Sequence, residues 1–379
     1  MKVQFGIDVL LANPQPYLQA RIGLVCNQAS VAQNGTNTGL ALQQSGFNLI
    51  KIFGPEHGFD TTGEDGKFIH HQIDQLTQLP IISLYSEKLA PSREDLADLD
   101  LVIVDLPDIG SRFYTYLWTM SYVMESCEKY HTPILILDRP NPIASHLEMA
   151  EGPLLTPACS SFIGRFPIPI NHQCTFGELA QYFKTMYYPQ LNLEVLPMKH
   201  WDRTTNTNYH FHATSPAIQN REVTYIYPGS CLFEGLNINE GRGTDQAFQQ
   251  FGAPWINHHL LAKTVEQQLT TATIEKVAYT PSFGLYENEE CYGLKITPVQ
   301  PTQFKAVAYF IKLIQIIHQL FPAELQERNY LTNVNPDGSK HLDKLLGVPH
   351  AFQKIIKGQI TTAVPQWAVE MEPYLLYKN

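Results

Sequence analysis

Short, uninterrupted apolar runs recur through the first 145 residues, each separated from the next by a segment with helical signals. Arg21–Cys26, Asn48–Phe53, Pro80–Leu84, Asp100–Asp105 (DLVIVD) and Pro133–Asp138 (PILILD) read as five strands. Their apolar character does not alternate, so both faces are covered, which is the mark of a parallel sheet between two helical layers. Thr38–Ser45 reads as a helix closed by Gly46. Ser92–Asp98 reads as a helix capped by Ser92, with Glu94 and Asp95 in its first turn. Phe113–Tyr130 reads as a long helix.

The pattern changes after the fifth strand. Arg139 to Pro169 is rich in proline and is punctuated by Asn141-Pro142 and Glu151-Gly152-Pro153. A boundary near residue 147 divides the chain into an α/β domain, 1–147, and a mixed α+β domain, 148–379. In the second part Ser161–Ile170, Phe176–Tyr187 and Leu193–Met198 read as regular elements. Residues 201–257 read as loop-rich, and three or more helices follow residue 303. The chain carries no internal repeat.

Composition narrows the class. With 26 Lys+Arg against 36 Asp+Glu, the net charge of −10 argues against nucleic acid or an anionic membrane as partner. No apolar run is long enough to span a bilayer. The N-terminus lacks the basic start, apolar core and cleavage site of an export signal, so a cytoplasmic location is expected. Six scattered cysteines without a CxxC pair read as buried thiols. Dinucleotide, P-loop, zinc-protease and GxSxG signatures are absent, and neither metal nor cofactor is expected. Carboxylate chemistry remains.

The distinctive residues cluster by position. Ligands of open parallel sheets sit beyond the carboxyl ends of the strands. Asn27 follows the first strand, Glu56-His57 the second, Asp105 through Arg112 the fourth, and Arg139 with Asn141 the fifth. Glu56 lies between Pro55 and the His57-Gly58 pair, in a tight loop that can hold a carboxyl rigidly and partly desolvated, as a general acid requires. A solvated loop acid is the alternative. Asp105 ends an apolar strand, where an acid must be paired or face a site. Arg112 could supply the pair, and Asp108 could instead cap the next helix. Tyr114 and Tyr116 could stack on a sugar, whereas Trp118 reads as core. The densest segment of the second domain, Phe233–Thr244, contains Asn237, Glu240 and Arg242. Arg242, between two glycines, suits a substrate carboxylate or a pairing with Glu240. His172 follows an apolar PIPI run and could reach the same cleft.

These motifs resemble those of the NamZ-type exo-β-N-acetylmuramidases. NQAS, GPEHG, DLPDIGSRFYTY, LDRPNP, EGP, YPGSCLFEG, EGRGT, FGAPW and YLLY occur in order along nearly the whole chain. The resemblance implies a Rossmann-like N-terminal domain, with the active site in a cleft against the C-terminal domain. It implies release of N-acetylmuramic acid from the non-reducing end of peptidoglycan fragments, so that the partner is a small molecule, a disaccharide or muropeptide. It makes Glu56 the catalytic acid. Asp108 and Asp105 lead as the second carboxyl group, Glu240 is third, and hydrolysis assisted by the substrate's own N-acetyl group stays open. Two rival readings are a metal-assisted hydrolase using Glu56, His57 and Asp105, and a sugar-binding protein without turnover.

Overall fold

The computed structural model describes residues 2–56, 72–85, 88–205, 208–332 and 335–378. His57 lies outside them. Seven strands form the first sheet: β1 (Ile22–Val25), β2 (Leu49–Gly54), β3 (Gln72–Ile73), β4 (Pro80–Ser83), β5 (Leu101–Val104), β6 (Ile134–Leu137) and β7 (Leu193–Leu196). Their spatial order is β3-β4-β2-β1-β5-β6-β7, and only β3 runs antiparallel to its neighbour. The chain winds outward in both directions from β1 and β5, so a crevice opens beyond the carboxyl ends of that pair. The sheet does not stop near residue 147, because β7 extends it beyond the proline-rich stretch.

The apolar runs fill two cores. Ile22, Leu24, Ile103, Leu135 and Leu137 face one side, packed against the helices Gly6–Ala12 and Thr38–Gln44. Val25, Val102, Val104, Ile134 and Ile136 face the other, against the helices Tyr116–Tyr130 and Phe176–Tyr187. Successive strand side chains point to opposite faces, so a strand between two helical layers must be apolar at every position. Trp118 is fully buried in the second core. That core continues without a break into the C-terminal half.

The C-terminal half is built on a three-stranded antiparallel sheet: β8 (Gln250–Ala253), β9 (Ala272–Tyr279) and β10 (Cys291–Pro298), in the order β8-β10-β9. The helices Arg221–Ser230, His258–Gln268 and Ala306–Leu320 pack with it, and three short helices follow. The stretch 201–257 is therefore less loop-rich than its composition suggests. The helix Arg221–Ser230 contains Pro228 and Gly229, both poor helix formers. Tertiary packing overrides that preference: a Cβ on Gly229 would lie 2.3 Å from the carbonyl oxygen of Ala306, so only glycine permits this helix contact. The chain end returns to the first sheet, where the Tyr377 hydroxyl donates to Asp138 at 2.7 Å. Among the described residues no helix is long and apolar enough to cross a membrane.

Candidate active site

Glu56 sits two residues beyond β2 and is 8% exposed. The Thr115 hydroxyl donates to its Oε2. Thr115 stands at the N-terminal end of the helix Tyr116–Tyr130 without a side-chain cap bond to it, and the turn before it is pinned from several sides. The Arg112 amide donates to the Ile170 carbonyl at 2.7 Å, and the Trp118 indole donates to the Arg112 carbonyl at 2.7 Å. Glu56 therefore rests on rigid structure, as a catalytic carboxyl needs.

Glu56 lines an open cleft between the two halves of the chain. Phe113, Tyr114, Tyr227 and Phe248 form an aromatic wall, with ring centres 5.5 Å apart for Phe113–Tyr227, 6.1 Å for Tyr114–Tyr227 and 4.7 Å for Tyr227–Phe248. Opposite charges come from the C-terminal half. Gly241 and Gly243, both with φ near +82°, turn the chain so that Arg242 projects between them. Its Nη1 donates to Glu234 at 2.6 Å and to Glu240 at 2.9 Å, and its guanidinium carbon lies 4.5 Å from the Phe248 ring centre. Glu234 also meets the His341 Nε2 at 3.1 Å. Burial works to raise the Glu234 pKa, but Arg242 and His341 outweigh it and hold the carboxyl at about 2. Lys344, on the helix His341–Leu346, completes this side and donates to the Asn335 side-chain oxygen at 2.5 Å.

Of the residues expected at the site, Glu56, Tyr114 and Arg242 meet in this cleft. Glu240 stands behind Arg242. Tyr116 is buried beneath Tyr114, and its hydroxyl donates to the Thr214 carbonyl at 2.7 Å. The other expected residues that the structure describes do not line this cleft. Asp105 is fully buried, and Arg139 grips it through two bonds of 2.5 and 2.7 Å while the Thr38 hydroxyl adds a third of 2.5 Å. Asp105 is thus paired, with Arg139 as the partner instead of Arg112. Among the described residues the Arg112 guanidinium reaches no carboxylate. It donates to the carbonyls of Pro153, Ile168 and Leu345 at 2.8, 2.9 and 2.9 Å, and burial lowers its pKa to about 9.

Asp108 lines a separate pocket together with Arg139, His210 and His212. One of its oxygens accepts from the Ile109 amide at 2.7 Å, and the other lies 3.7 Å from the Nε2 of buried His172. Burial pushes the Asp108 pKa up to about 7 and the His172 pKa down to about 3. Both shifts run toward the neutral forms, because burial penalises either charge. Asn27 folds its side chain onto the Ala29 amide at 3.0 Å. Asn141 bonds the Cys174 carbonyl at 3.0 Å, and Asn237 clips the Glu324 carbonyl at 2.8 Å. His57 lies outside the described residues. Among those residues no three metal-ligating side chains converge.

The cleft also contains residues that sequence reasoning passed over: Thr115, Glu234, Tyr330, His341 and Lys344. Glu234 falls in the dense segment Phe233–Thr244, so a signal existed. His341 and Lys344 lie on a short helix without any motif, and only the fold brings them to the cleft.

Two family models match nearly the whole chain. One describes the N-terminal part of the exo-β-N-acetylmuramidase NamZ and matches residues 22–222; the other describes its C-terminal part and matches residues 225–377. A peptidoglycan β-N-acetylmuramidase NamZ from Bacillus subtilis is 36% identical over 332 residues, covering 86% of this chain and 80% of the relative. Two crystal structures of DUF1343 family proteins from Bacteroides fragilis share the fold. One has a TM-score of 0.87 at 25% identity, covering 100% of this chain and 99% of its own. The other has a TM-score of 0.76 at 27% identity and covers both chains fully.

Proposed function

The chain belongs to the NamZ exo-β-N-acetylmuramidase family, and from that premise we propose that it is a glycoside hydrolase releasing N-acetylmuramic acid from the non-reducing end of peptidoglycan fragments. The observation that carries the proposal is Glu56, a carboxyl held under the Thr115 hydroxyl on the wall of an aromatic-lined cleft. Glu56 is the general acid: it protonates the glycosidic oxygen as the bond to the leaving sugar breaks. The aromatic wall supplies apolar surface for a pyranose face. The Glu234–Arg242–His341 cluster supplies polar groups for the ring substituents. Glu234 is the other carboxyl group lining the cleft among the described residues. Its ion pairs keep it charged, as suits stabilisation of an oxocarbenium-like transition state.

A chromogenic N-acetylmuramic acid glycoside tests this reading. The wild-type protein should cleave it well ahead of the N-acetylglucosamine equivalent. Glu56→Gln should lower kcat by about 10²–10⁴ without loss of fold. A folded Gln variant with more than about a tenth of wild-type kcat would remove Glu56 from the acid role. Six free, buried cysteines support a reducing compartment and a role in recycling internalised fragments. Recovery of the protein outside the cytoplasmic membrane on fractionation would contradict that placement.

A further inference from the structure

N-acetylmuramic acid carries a lactyl ether that ends in a carboxylate. An acidic protein must offset that charge with a local cation. Three basic side chains line the cleft among the described residues: Arg242, His341 and Lys344. Arg242 is already shared by Glu234 and Glu240, and His341 by Glu234. A third carboxylate placed on Arg242 would lie beside two others and meet their repulsion. Lys344 differs. Its hydrogen-bond partner is the neutral Asn335 side chain, at 2.5 Å. The charge of Asp337 acts on it, but the carboxylate of Asp337 accepts from the Ser339 amide at 3.0 Å and hydroxyl at 2.9 Å. Lys344 is partly buried, and that desolvation lowers its pKa. An incoming carboxylate would relieve this penalty.

Lys344 is also held in place. Arg112 donates to the carbonyl of the next residue, Leu345, at 2.9 Å. The Asp343 carboxylate accepts from the amides of His350 and Ala351 at 3.0 and 2.7 Å. The short helix that carries Lys344 is therefore fixed at both its own end and the start of the next helix.

We propose that Lys344 binds the lactyl carboxylate of the substrate and so sets the preference for muramic acid over glucosamine. The proposal rests on the muramidase reading above. It assigns Arg242 to the wall of the cleft, where it holds Glu234 and Glu240.

The test compares two chromogenic substrates: an N-acetylmuramic acid glycoside and the same glycoside with its lactyl carboxylate converted to the methylamide. Wild-type protein should favour the acid over the amide by about 10–100-fold in kcat/KM, the worth of a hydrogen bond to a charged group. In Lys344→Met and Lys344→Gln that ratio should fall to near one, chiefly through KM, while Lys344→Arg keeps most of it. Melting temperatures check that the variants fold. If wild-type protein cleaves the acid but the ratio survives in both neutral variants, Lys344 does not bind the lactyl group. A ratio that collapses in Arg242→Met and not in Lys344→Met would overturn the proposal in favour of Arg242. Failure of the wild-type protein to cleave either substrate would instead sink the muramidase reading itself.

Discussion

Replacing Asp108 by Asn isolates the energy of one buried carboxyl group. The Asp108 pKa stands at about 7 in the folded protein against a reference of 3.8, because burial penalises the charged form. Between those values the native state binds a proton that the unfolded chain releases. Stability therefore falls as pH rises from about 4 to about 7, by about 1.4 kcal/mol per unit, or about 4 kcal/mol in all. The Asn variant lacks this dependence. His172 pulls the other way, since its folded pKa of about 3 costs stability as pH falls below its ordinary value of 6.5. That contribution is present in both proteins and cancels in their difference. For 379 residues, an unfolding entropy of about 0.8 kcal/mol/K makes 1 kcal/mol worth about 1.3 °C. The Tm of the Asn variant should therefore gain about 5 °C on the wild type between pH 4 and pH 8. Calorimetric melts of both proteins at pH 4, 6 and 8 measure it. Parallel curves would mean that Asp108 stays ionised, paired with a protonated His172, and the raised pKa would be wrong. A large loss of kcat in a variant of unchanged fold would return Asp108 to the catalytic candidates.

Two further substitutions separate support from chemistry. Asp105→Asn leaves Arg139 buried without its carboxylate, which should cost about 3–5 kcal/mol and lower Tm by about 4–7 °C while kcat changes little. The opposite outcome, an intact Tm with lost kcat, would assign chemistry to Asp105. Arg112→Met orphans the carbonyls of Pro153, Ile168 and Leu345 at about 1–3 kcal/mol each, so Tm should fall by at least about 4 °C; a melt indistinguishable from wild type would refute that brace.

The first sheet was legible because its signal is local. Each run such as DLVIVD must be apolar on both faces to sit between two helical layers, and the run carries that requirement in five or six consecutive residues. Glu56 was legible for a related reason: it stands just past a strand, in a loop that Pro55 constrains. The roles of the other strand-end residues were not. Asp105 and Arg112 both sit on the rim, and sequence offered them to each other. In the fold Asp105 takes Arg139, from the neighbouring strand, because β5 and β6 are adjacent and bring the two ends together. Sequence distance carries no information about that choice. The hairpin of β9 and β10 escaped notice for a different reason, since its outer positions are polar and its strands alternate only in part.

What remained hidden has one physical cause. The cleft is a surface shared by two halves, and two of its lining residues, His341 and Lys344, come from a short helix whose own sequence is unremarkable. That helix reaches the cleft through Arg112, which spends its guanidinium on three main-chain carbonyls drawn from residues 153, 168 and 345. A buried arginine without a carboxylate is costly. Here it joins the turn that carries Thr115, and hence Glu56, to the helix that carries Lys344. The rim arginine thus ties the two sides of the site together through main-chain carbonyls. Candidate residues at strand ends can be picked out from sequence. Which of them face the ligand and which hold the others in place is decided by contacts across hundreds of residues.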